Sequence, residues 1–574
     1  MRYQYEKILK DLIKEEKDRL QSRMRSALRF PDNRIAIFEL VREDAVLFFE
    51  NFSVSGSTND DRFFVTQLFN YGYLDSLSLF WNEDLNKPGC PLYPSTKEST
   101  KWANWVIQTS GRIRLAEYYH HLIKLGLFEP INVDHDRIKI RIANHDIEAI
   151  EEEDLRYIKK KHETSLEELR KALTLERTEL SSKMSQLVWK WKDHFIGYNT
   201  DTEIDELFII HAPVYLAHTN GWDIFPPNTS FGGVPFLRYL DAIVAVASFA
   251  LKHIYFSILL LKKEPSLNLR DLLTMPLTIE RAIDFISSAI DADINTSETI
   301  FRNLLLDNDN IKYHSSIPRY PTPPYVTIGE NFCLMSIAGC LDDPVMFLLN
   351  ELRRKYPRDW DCAVDSREQT FRRDLYSLFS SFDSIVCYNK NLNIVTGKGE
   401  KTDIDALLVD TQKGIAALFQ LKWQDLFGSD LNKRESQKRN LLEKTNKWIR
   451  KIFNWLDDGR LEDTLIASGL SKEISNNVKT FYVFLLGRSS SNFSGEFTRD
   501  SRAAWGNWYQ LQRIWETAKT SSNPIKTIYD CFKKEEARQE SERGSNFIKE
   551  FQVGDLKFIF DNSLNIKSDT TNQR

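Results

Sequence analysis

The segment TDIDALLVDTQKGIAALFQLKW, residues 402–423, constrains the fold more than any other part of the sequence. Two apolar runs flank the polar residues TQKG, which is the pattern of a β-hairpin with a four-residue loop. The second run nevertheless carries Gln420 and Lys422, whose side chains point to the same face of a strand. Because burying such groups without partners costs a few kcal/mol, they must either be satisfied in a core network or line a site.

A four-residue loop pairs residue 410 with residue 415 and thereby fixes the rest of the register. Asp405 is then predicted to lie opposite Gln420, and Asp403 opposite Lys422, so that four polar side chains share one face. Beyond them the same face is apolar, at Leu407, Val409, Ala416 and Leu418. The other face is predicted to be entirely apolar, with Ile404, Ala406, Leu408, Ile415, Ala417, Phe419 and Leu421, and Trp423 belongs to the core on that side.

This polar cluster suits one of two roles. Asp and Gln oxygens beside a lysine suit a hard cation such as Mg²⁺, and such a site suits hydrolysis of a phosphodiester bond. The alternative is structural: an Asp403–Lys422 salt bridge that supports a hydrogen-bonded pair between Asp405 and Gln420. The hairpin alone does not decide between the two.

A carboxylate on a nearby helix favours the functional role. The segment DSREQTFRRDLYSLFSSF, residues 365–382, is predicted to be a helix with Ser366 as its N-cap and Gln369 three residues later. Its apolar stripe contains Phe371, and one turn before that residue lies Glu368. Taken alone, Glu368 could also be an acid favoured by the N-terminus of the helix.

A helix-borne Glu, an Asp on one strand and Gln-x-Lys on the next resemble the PD-(D/E)XK nuclease superfamily over roughly residues 365–490. The Gln-x-Lys motif is similar to that of the Mrr-type restriction endonucleases. The resemblance implies a four-stranded mixed sheet flanked by helices, and cleavage of DNA that depends on Mg²⁺, with Mn²⁺ able to substitute. It implies an active site of Glu368, Asp405, Gln420 and Lys422, in which Asp405 and Gln420 hold the metal.

Two departures from the family pattern are present. The sequence TDID offers two aspartates, and Asp405 is chosen over Asp403 because it is predicted to lie opposite Gln420. A glutamine in place of the usual acid removes one negative charge, so metal binding is expected to be weak until a phosphate arrives.

The segment KRESQKRNLLEKTNKWIRK, residues 433–451, is predicted to be a basic helix beside this site. It carries eight Lys and Arg residues against two Glu residues, and its apolar residues would anchor it on the sheet. A basic face there suits contacts with nucleic-acid phosphates, although a solvated basic helix is the common alternative. The candidate phosphate contacts are Lys433, Arg434, Lys438, Arg439 and Lys447.

The fold class predicted for the whole chain is multidomain, with a large, mainly α-helical N-terminal region and a C-terminal α/β domain whose mixed sheet is of the restriction-endonuclease-like type. Residues 1–144 are predicted to be a helical domain. Residues 145–196 are predicted to be a long helix or coiled-coil arm packed on its own domain, because leucines recur every seven residues at 166, 173, 180 and 187. Residues 197–360 are predicted to be a second helical domain that ends in a Pro-rich linker, and residues 361–574 are the nuclease-like domain.

Other features of the sequence exclude several classes of protein. The six cysteines contain no CxxC pair and the N-terminus has no apolar leader, which favours a cytoplasmic location. The apolar segment 242–261 is long enough to span a membrane, but Lys252 and His253 at its centre predict a buried helix instead. No histidine follows His314, so the C-terminal domain cannot house a histidine-dependent nuclease site alone. No GxxxxGK[ST] motif occurs, so any need for ATP must be met by a partner.

The sequence therefore predicts a cytoplasmic, metal-dependent nuclease that acts on nucleic acid, with DNA favoured, and a helical region that senses or recruits. A role in restriction or anti-phage defence follows only by analogy with the resemblance. Two alternatives stay open: an inactive nuclease fold that binds nucleic acid, and a helical scaffold. The predicted partners are nucleic acid and no membrane; an ATPase or other protein partner and a homo-oligomer are left open.

Overall fold

The computed structural model describes residues 2–561 apart from 28–31, 54–59, 82–84, 86, 135–136, 143–166, 168, 170, 218, 220, 227, 318–320, 389–390, 427–429, 460, 468–470, 492–498 and 542–547. The N-terminal region is mainly helical. Its elements are α1 (Arg2–Ala27), α2 (Asn33–Ser53), α3 (Asp60–Leu79), α4 (Lys97–Lys124), β1 (Phe128–Val133), β2 (Arg137–Ile142), α5 (residues 171–186), β3 (Val188–Trp191), β4 (Phe195–Tyr198), α6 (Thr202–Leu216), β5 (Ser230–Phe231), β6 (Val234–Pro235), α7 (Phe236–Lys263), α8 (Leu269–Leu272), β7 (Met275–Thr278), α9 (Ile279–Ile290), α10 (Ile294–Arg302), β8 (Leu305–Leu306), α11 (Ile311–Ser316), β9 (Tyr325–Gly329), β10 (Phe332–Met335), α12 (Ile337–Leu341) and α13 (Pro344–Lys355).

The C-terminal region combines a mixed sheet with flanking helices. Its elements are α14 (Pro357–Leu378), β11 (Ile385–Tyr388), β12 (Leu392–Val395), β13 (Lys401–Ile404), β14 (Ala406–Asp410), β15 (Ile415–Lys422), α15 (Leu431–Asp457), α16 (Leu461–Ala467), α17 (Lys472–Asn477), β16 (Thr480–Gly487), β17 (Ala504–Asn507), α18 (Trp508–Ala518), α19 (Pro524–Ser541), β18 (Ile548–Val553) and β19 (Leu556–Asp561).

The main C-terminal sheet contains five strands in the order β11-β14-β15-β16-β17. The first three strands are antiparallel, whereas β16 and β17 run parallel to β15. The coarse fold prediction, helices followed by a mixed sheet, is therefore confirmed, although the sheet has five strands rather than the expected four. Helices α14, α18 and α19 cover one face of the sheet, and α15 covers the other.

The last two strands do not belong to that sheet. β19 pairs in parallel with β2, and β18 pairs with β19, so residues 548–561 complete a four-stranded sheet with β1 and β2. The region 1–144, predicted to be a helical domain, thus also contributes to a sheet, and the region 361–574, predicted to be one domain, supplies the last two strands of that sheet. The alternating sequence RIKIRI in β2 has the period of a strand, with Ile138 and Ile140 buried.

The predicted helical arm is partly observed. Residues 145–166, including Leu166, lie outside the described residues, whereas 171–186 are helical and pack Leu173 and Leu180 against the core of the N-terminal region. This helix therefore packs against the N-terminal region. The end of the predicted arm is instead the hairpin of β3 and β4.

The apolar segment 242–261 lies within α7, the central helix of the largest hydrophobic cluster. Among the described residues it is the one helix long and apolar enough to cross a membrane, and 72% of its most apolar window is buried in the protein. Lys252 forms an ion pair with Asp205 on α6, and the His253 ring bonds the Leu272 carbonyl oxygen at 2.8 Å. Burial lowers the pKa of His253 to about 4, so the ring is neutral near pH 7.

The Pro-rich segment does not form a linker between domains. Pro323 and Pro324 are buried and lead directly into β9, and the Ser336 amide donates to the Pro324 carbonyl oxygen at 2.9 Å. Gly339 approaches this segment so closely that a Cβ atom would lie 2.0 Å from the Pro323 carbonyl oxygen. Pro323 and Pro324 have no backbone N–H donors at the place where α12 packs against the chain.

Helix α14 joins the two regions without a break. It begins at Pro357, whose missing N–H suits the first turn of a helix, and Trp360 and Ala363 pack in the N-terminal core. Two turns later Phe371 and Leu375 pack under the C-terminal sheet. The predicted boundary at residue 360 therefore falls inside a helix. For the same reason Ser366 is not an N-cap: its hydroxyl donates to the Ala363 carbonyl oxygen within the helix.

Candidate active site

The hairpin of β14 and β15 has the predicted register. Asp410 pairs with Ile415 and Ala406 with Phe419, across the four-residue loop. The Asp410 carboxylate accepts the Gln412 and Lys413 amides at 3.1 Å, which closes the turn. Gly414 has φ of +62°, and a Cβ atom there would lie 2.1 Å from the Asn477 carbonyl oxygen, so the turn requires glycine.

The two faces of the hairpin are divided as predicted, with one exception. Ala406, Leu408, Ile415, Ala417, Phe419 and Leu421 pack under α14, α18 and α19, and Trp423 joins them. Leu407, Val409, Ala416 and Leu418 pack under α15. Ile404 was expected on the first face but lies in the second cluster, because the chain bends at Asp405, between β13 and β14.

That bend takes Asp403 out of the ladder between β14 and β15. β13 pairs with β12, so that Asp403 lies opposite Asn393 and not opposite Lys422. The Asp403 carbonyl oxygen accepts the Trp448 indole N–H at 2.6 Å, which ties β13 to α15. The predicted Asp403–Lys422 pairing is therefore wrong. The choice of Asp405 over Asp403 as the residue facing Gln420 agrees with the geometry.

Asp405 and Gln420 are in direct contact at the end of the hairpin. The Asp405 amide donates to the Phe419 carbonyl oxygen at 3.0 Å, which extends the ladder by one bond. Asp405 Oδ2 accepts the Leu421 amide at 2.8 Å and the Gln420 side-chain Nε2. Lys422 Nζ lies 3.9 Å from the same oxygen, with 31% of its side chain exposed. Three of the four predicted site residues thus meet at one carboxylate.

The Asp405 carboxylate is buried and incompletely satisfied. Its side chain is 1% exposed, and Oδ1 has no hydrogen-bond partner. Burial raises its pKa to about 7, with the charges of Glu368 and Asp403 also raising it, while Lys422 and the Leu421 amide act in the opposite direction. A buried oxygen without a donor and a displaced pKa are together typical of functional sites.

Glu368 reaches the site through Arg372, a residue that the sequence analysis missed. Arg372 Nη2 lies 2.8 Å from Glu368 Oε1, and its Nε donates to the Asp405 carbonyl oxygen. Asn391 Nδ2 also donates to Glu368 Oε1, at 2.7 Å. The Glu368 side chain remains 38% exposed at the rim. The spacing of Glu and Arg at i and i+4 was a usable signal for this ion pair; nothing in the sequence marked Asn391.

The side chains can hold a divalent cation, with one rearrangement. Asp405 Oδ1 has no donor, and the Glu368 carboxylate is accessible, so two carboxylates, which are ligands that Mg²⁺ prefers, are present. Gln420, however, presents its nitrogen to Asp405, so its amide must turn over to offer an oxygen. Within the described part of the chain, no three His, Cys, Asp or Glu side chains are placed so that they could hold a metal ion together. A cation here would therefore rely on the amide and on water.

The predicted basic helix is present as α15, directly after the Gln-x-Lys strand, and its apolar side packs on the sheet. Its basic residues are not equivalent. Arg439 and Lys447 are exposed, whereas Lys433 is half-buried. Arg434 and Lys438 are buried and lie 2.6 and 4.0 Å from the Glu435 carboxylate. The exposed face that can contact a polyanion therefore excludes Arg434 and Lys438.

Substituting Asp405 by Asn is expected to stabilise the metal-free protein above neutral pH. The folded-state pKa of about 7 exceeds the ordinary value of 3.8, so the unfolded chain ionises first as pH rises. The free energy of unfolding of the wild type therefore falls by a few kcal/mol between about pH 4 and pH 7. The amide of Asp405→Asn does not ionise, so the variant does not have this loss. Melting curves in EDTA should show a higher Tm for Asp405→Asn at pH 8 and no difference at pH 4. A lower Tm at pH 8 would contradict this environment for Asp405.

Searches with protein-family models, against curated proteins and against solved structures returned no match for this chain.

Proposed function

We propose that this protein is a metal-dependent nuclease of the PD-(D/E)XK type that hydrolyses phosphodiester bonds in DNA. The proposal rests on one observation: Gln420 and Lys422 meet Asp405 at the end of two adjacent strands, at one oxygen of a buried carboxylate whose other oxygen, Oδ1, has no donor. A core built for stability would satisfy that oxygen, whereas a metal site leaves it available. With this proposal we also expect a role in restriction or anti-phage defence and a cytoplasmic location.

Each side chain has a distinct role in the proposed reaction. A bound Mg²⁺ supplies Lewis-acid activation of the phosphate and a water of lowered pKa. Asp405 and the turned amide of Gln420 hold the cation. Lys422 stabilises the negative charge that develops on the phosphate, since its ammonium lies next to Asp405 and is accessible from solvent. Glu368 adds a second carboxylate at the exposed edge of the site, where its ion pair with Arg372 orients it.

The direct test is cleavage of supercoiled plasmid by the full chain with Mg²⁺ or Mn²⁺. Conversion to nicked or linear DNA, abolished by EDTA, is the expected result. RNA of matched length serves as a second substrate, because the site geometry does not select the sugar. Absence of cleavage of both substrates over a range of metal concentrations would contradict the proposal.

A nuclease fold that binds nucleic acid without cutting it is the second candidate. One observation favours it: the Gln420 amide is hydrogen-bonded to Asp405, and the two side chains are 5% and 1% exposed. This pair satisfies part of the site without a cation. Retained DNA binding in a protein that never cleaves would select this candidate over the first.

Reversing the charge of Arg439 and Lys447 together to Glu is expected to weaken DNA binding at least about tenfold at low salt. Phosphate contacts act through counterion release, so the variant should also show a smaller dependence of affinity on salt, regardless of sequence. The measurement is a fluorescence-anisotropy titration in EDTA at several salt concentrations. The matched control is reversal of Lys472 and Lys479, two exposed lysines of the same region. Equal affinity of the variant and wild type would exclude α15 from the interface.

A further inference from the structure

A cavity of about 730 Å³ lies between the N-terminal region and the C-terminal sheet. It begins at Trp423 and Gln424, the two residues after Lys422, and so adjoins the candidate active site along the chain. Its walls come from α11, α13 and α14 on one side and from α15 on the other. Its size falls in the range of pockets for small organic ligands. The proposed nuclease chemistry does not use it.

The cavity has an excess of positive charge. Arg353, Arg367, Lys433 and Lys444 line it, against the carboxylates of Asp425 and Asp430. Both carboxylates are already engaged. Asp425 lies 2.6 Å from Arg367 and 3.1 Å from Arg353, and Asp430 caps α15 by accepting the amides of Asn432 and Lys433. Lys433 and Lys444 are therefore the cations available to an incoming anion.

Lys433 has an environment in which a bound anion would stabilise the charged form of its ammonium group. Its Nζ donates to the Leu426 carbonyl oxygen at 2.6 Å, and burial lowers its pKa to about 8, with Asp425 acting in the opposite direction and Arg353 acting in the same one. An anion beside it would offset the desolvation of the ammonium group. Lys444 lies on the exposed part of the same helix and adds a second positive charge at the cavity mouth.

Two side chains of the cavity wall have polar atoms without partners. Arg367, which is 1% exposed, has no acceptor for Nη2, and Gln424 has no donor for Oε1. Both atoms are buried within the cavity wall. Tyr313 and Trp423 add aromatic surface, and Asn440 adds an amide. Phosphate oxygens, an aromatic base and its amino group are the groups that match this set.

We infer that this cavity binds a nucleotide unit, with its phosphate at Lys433 and Lys444 and its base towards Tyr313, Trp423 and Gln424. Two sources have this chemistry: a free nucleotide, or one nucleotide of a bound strand. In either case the ligand would contact both regions of the protein at once. It would also contact Trp423, the residue that follows Lys422 in the sequence. The inference does not depend on whether the protein cuts DNA.

The test is calorimetric titration of the full chain in EDTA, where no cleavage occurs. The probes are adenosine monophosphate, adenosine, inorganic phosphate and an oligothymidylate about ten nucleotides long. Adenosine monophosphate is expected to bind more tightly than adenosine or phosphate alone. Lys433→Met and Lys444→Met are each expected to weaken its binding at least about tenfold, and Lys472→Met, an exposed lysine outside the cavity, is the matched control. The melting temperature of each variant is measured first.

Binding of adenosine monophosphate that both lysine variants weaken supports the inference with a free nucleotide as the ligand. Binding of only the oligothymidylate, weakened by the same two variants, supports it with a strand as the source. If no probe binds, or if both variants bind as the wild type does, the inference is overturned. A protein that cleaves plasmid but binds no probe would retain the proposed function and lose only this inference.

Discussion

Lys422→Ala is expected to abolish DNA cleavage, by a factor of at least about a thousand, while the protein remains folded. The ammonium group lies 3.9 Å from Asp405 and its side chain is partly exposed, so it faces the place where a phosphate would sit. Removing one charged group that stabilises a transition state costs about 100- to 1000-fold, and here the same lysine also offsets the buried carboxylate. The measurement is the initial rate of plasmid nicking with Mg²⁺.

Two variants of the same hairpin serve as controls. Lys413→Ala removes an exposed lysine in the turn and should leave cleavage unchanged. Asp403→Ala should retain most of the activity, because its strand pairs with β12 rather than with β15. Wild-type cleavage by Lys422→Ala would exclude Lys422 from catalysis, and a variant that is unfolded by circular dichroism would show that Lys422 has a structural role instead.

Asp425→Ala is expected to lower the free energy of unfolding by about 3–5 kcal/mol. Asp425 neutralises Arg367, which is 1% exposed and also donates from Nε to the Ile224 carbonyl oxygen at 3.1 Å. The Arg367 guanidinium also lies 4.2 Å from the centroid of the Phe225 ring, so it cannot move to water without breaking the junction of the two regions. Removing one partner of a buried ion pair leaves an uncompensated charge, which accounts for the size of the effect.

Urea unfolding of the metal-free protein measures this loss. Arg353→Met is the matched control, since Arg353 contacts the same carboxylate at 3.1 Å but has a side chain that is 43% exposed. Exposed ion pairs contribute about 1 kcal/mol or less, so this variant should unfold close to the wild type. A loss below about 1 kcal/mol for Asp425→Ala would mean that Arg367 is satisfied by other groups.

Local sequence patterns were sufficient for much of the candidate site. The polar turn and the alternation of residues fixed the pairing of β14 with β15, and so brought Asp405 to Gln420. They could not reveal the bend at Asp405, because β12, the strand that pairs with β13, has no strong pattern of its own. The wrong prediction that Asp403 lies opposite Lys422 follows from the missed bend. Register propagates along a hairpin only while both strands continue.

Long-range packing explains the other differences. Nothing local indicates that β19 joins β2 from the opposite end of the chain, or that α14 continues through the predicted boundary at residue 360. The burial of Lys438 on α15 was also hidden, since Lys and Arg occur along the whole helix and the sequence does not specify which of them become buried. These features depend on contacts between distant residues, which propensity and periodicity do not encode.

The central claim is that Asp405 and Gln420 hold a divalent cation, and melting curves of Gln420→Glu with and without Mg²⁺ test it most directly. In EDTA the variant should melt below the wild type, because two adjacent carboxylates repel and one must take up a proton. Mg²⁺ should then raise its Tm by more than it raises that of the wild type, since each tenfold gain in affinity adds about 1.4 kcal/mol at saturating metal. Gln412→Glu, an exposed glutamine in the same hairpin, should respond to Mg²⁺ as the wild type does. Destabilisation of Gln420→Glu that no concentration of Mg²⁺ reverses would contradict the metal site and leave Gln420 as a structural partner of Asp405.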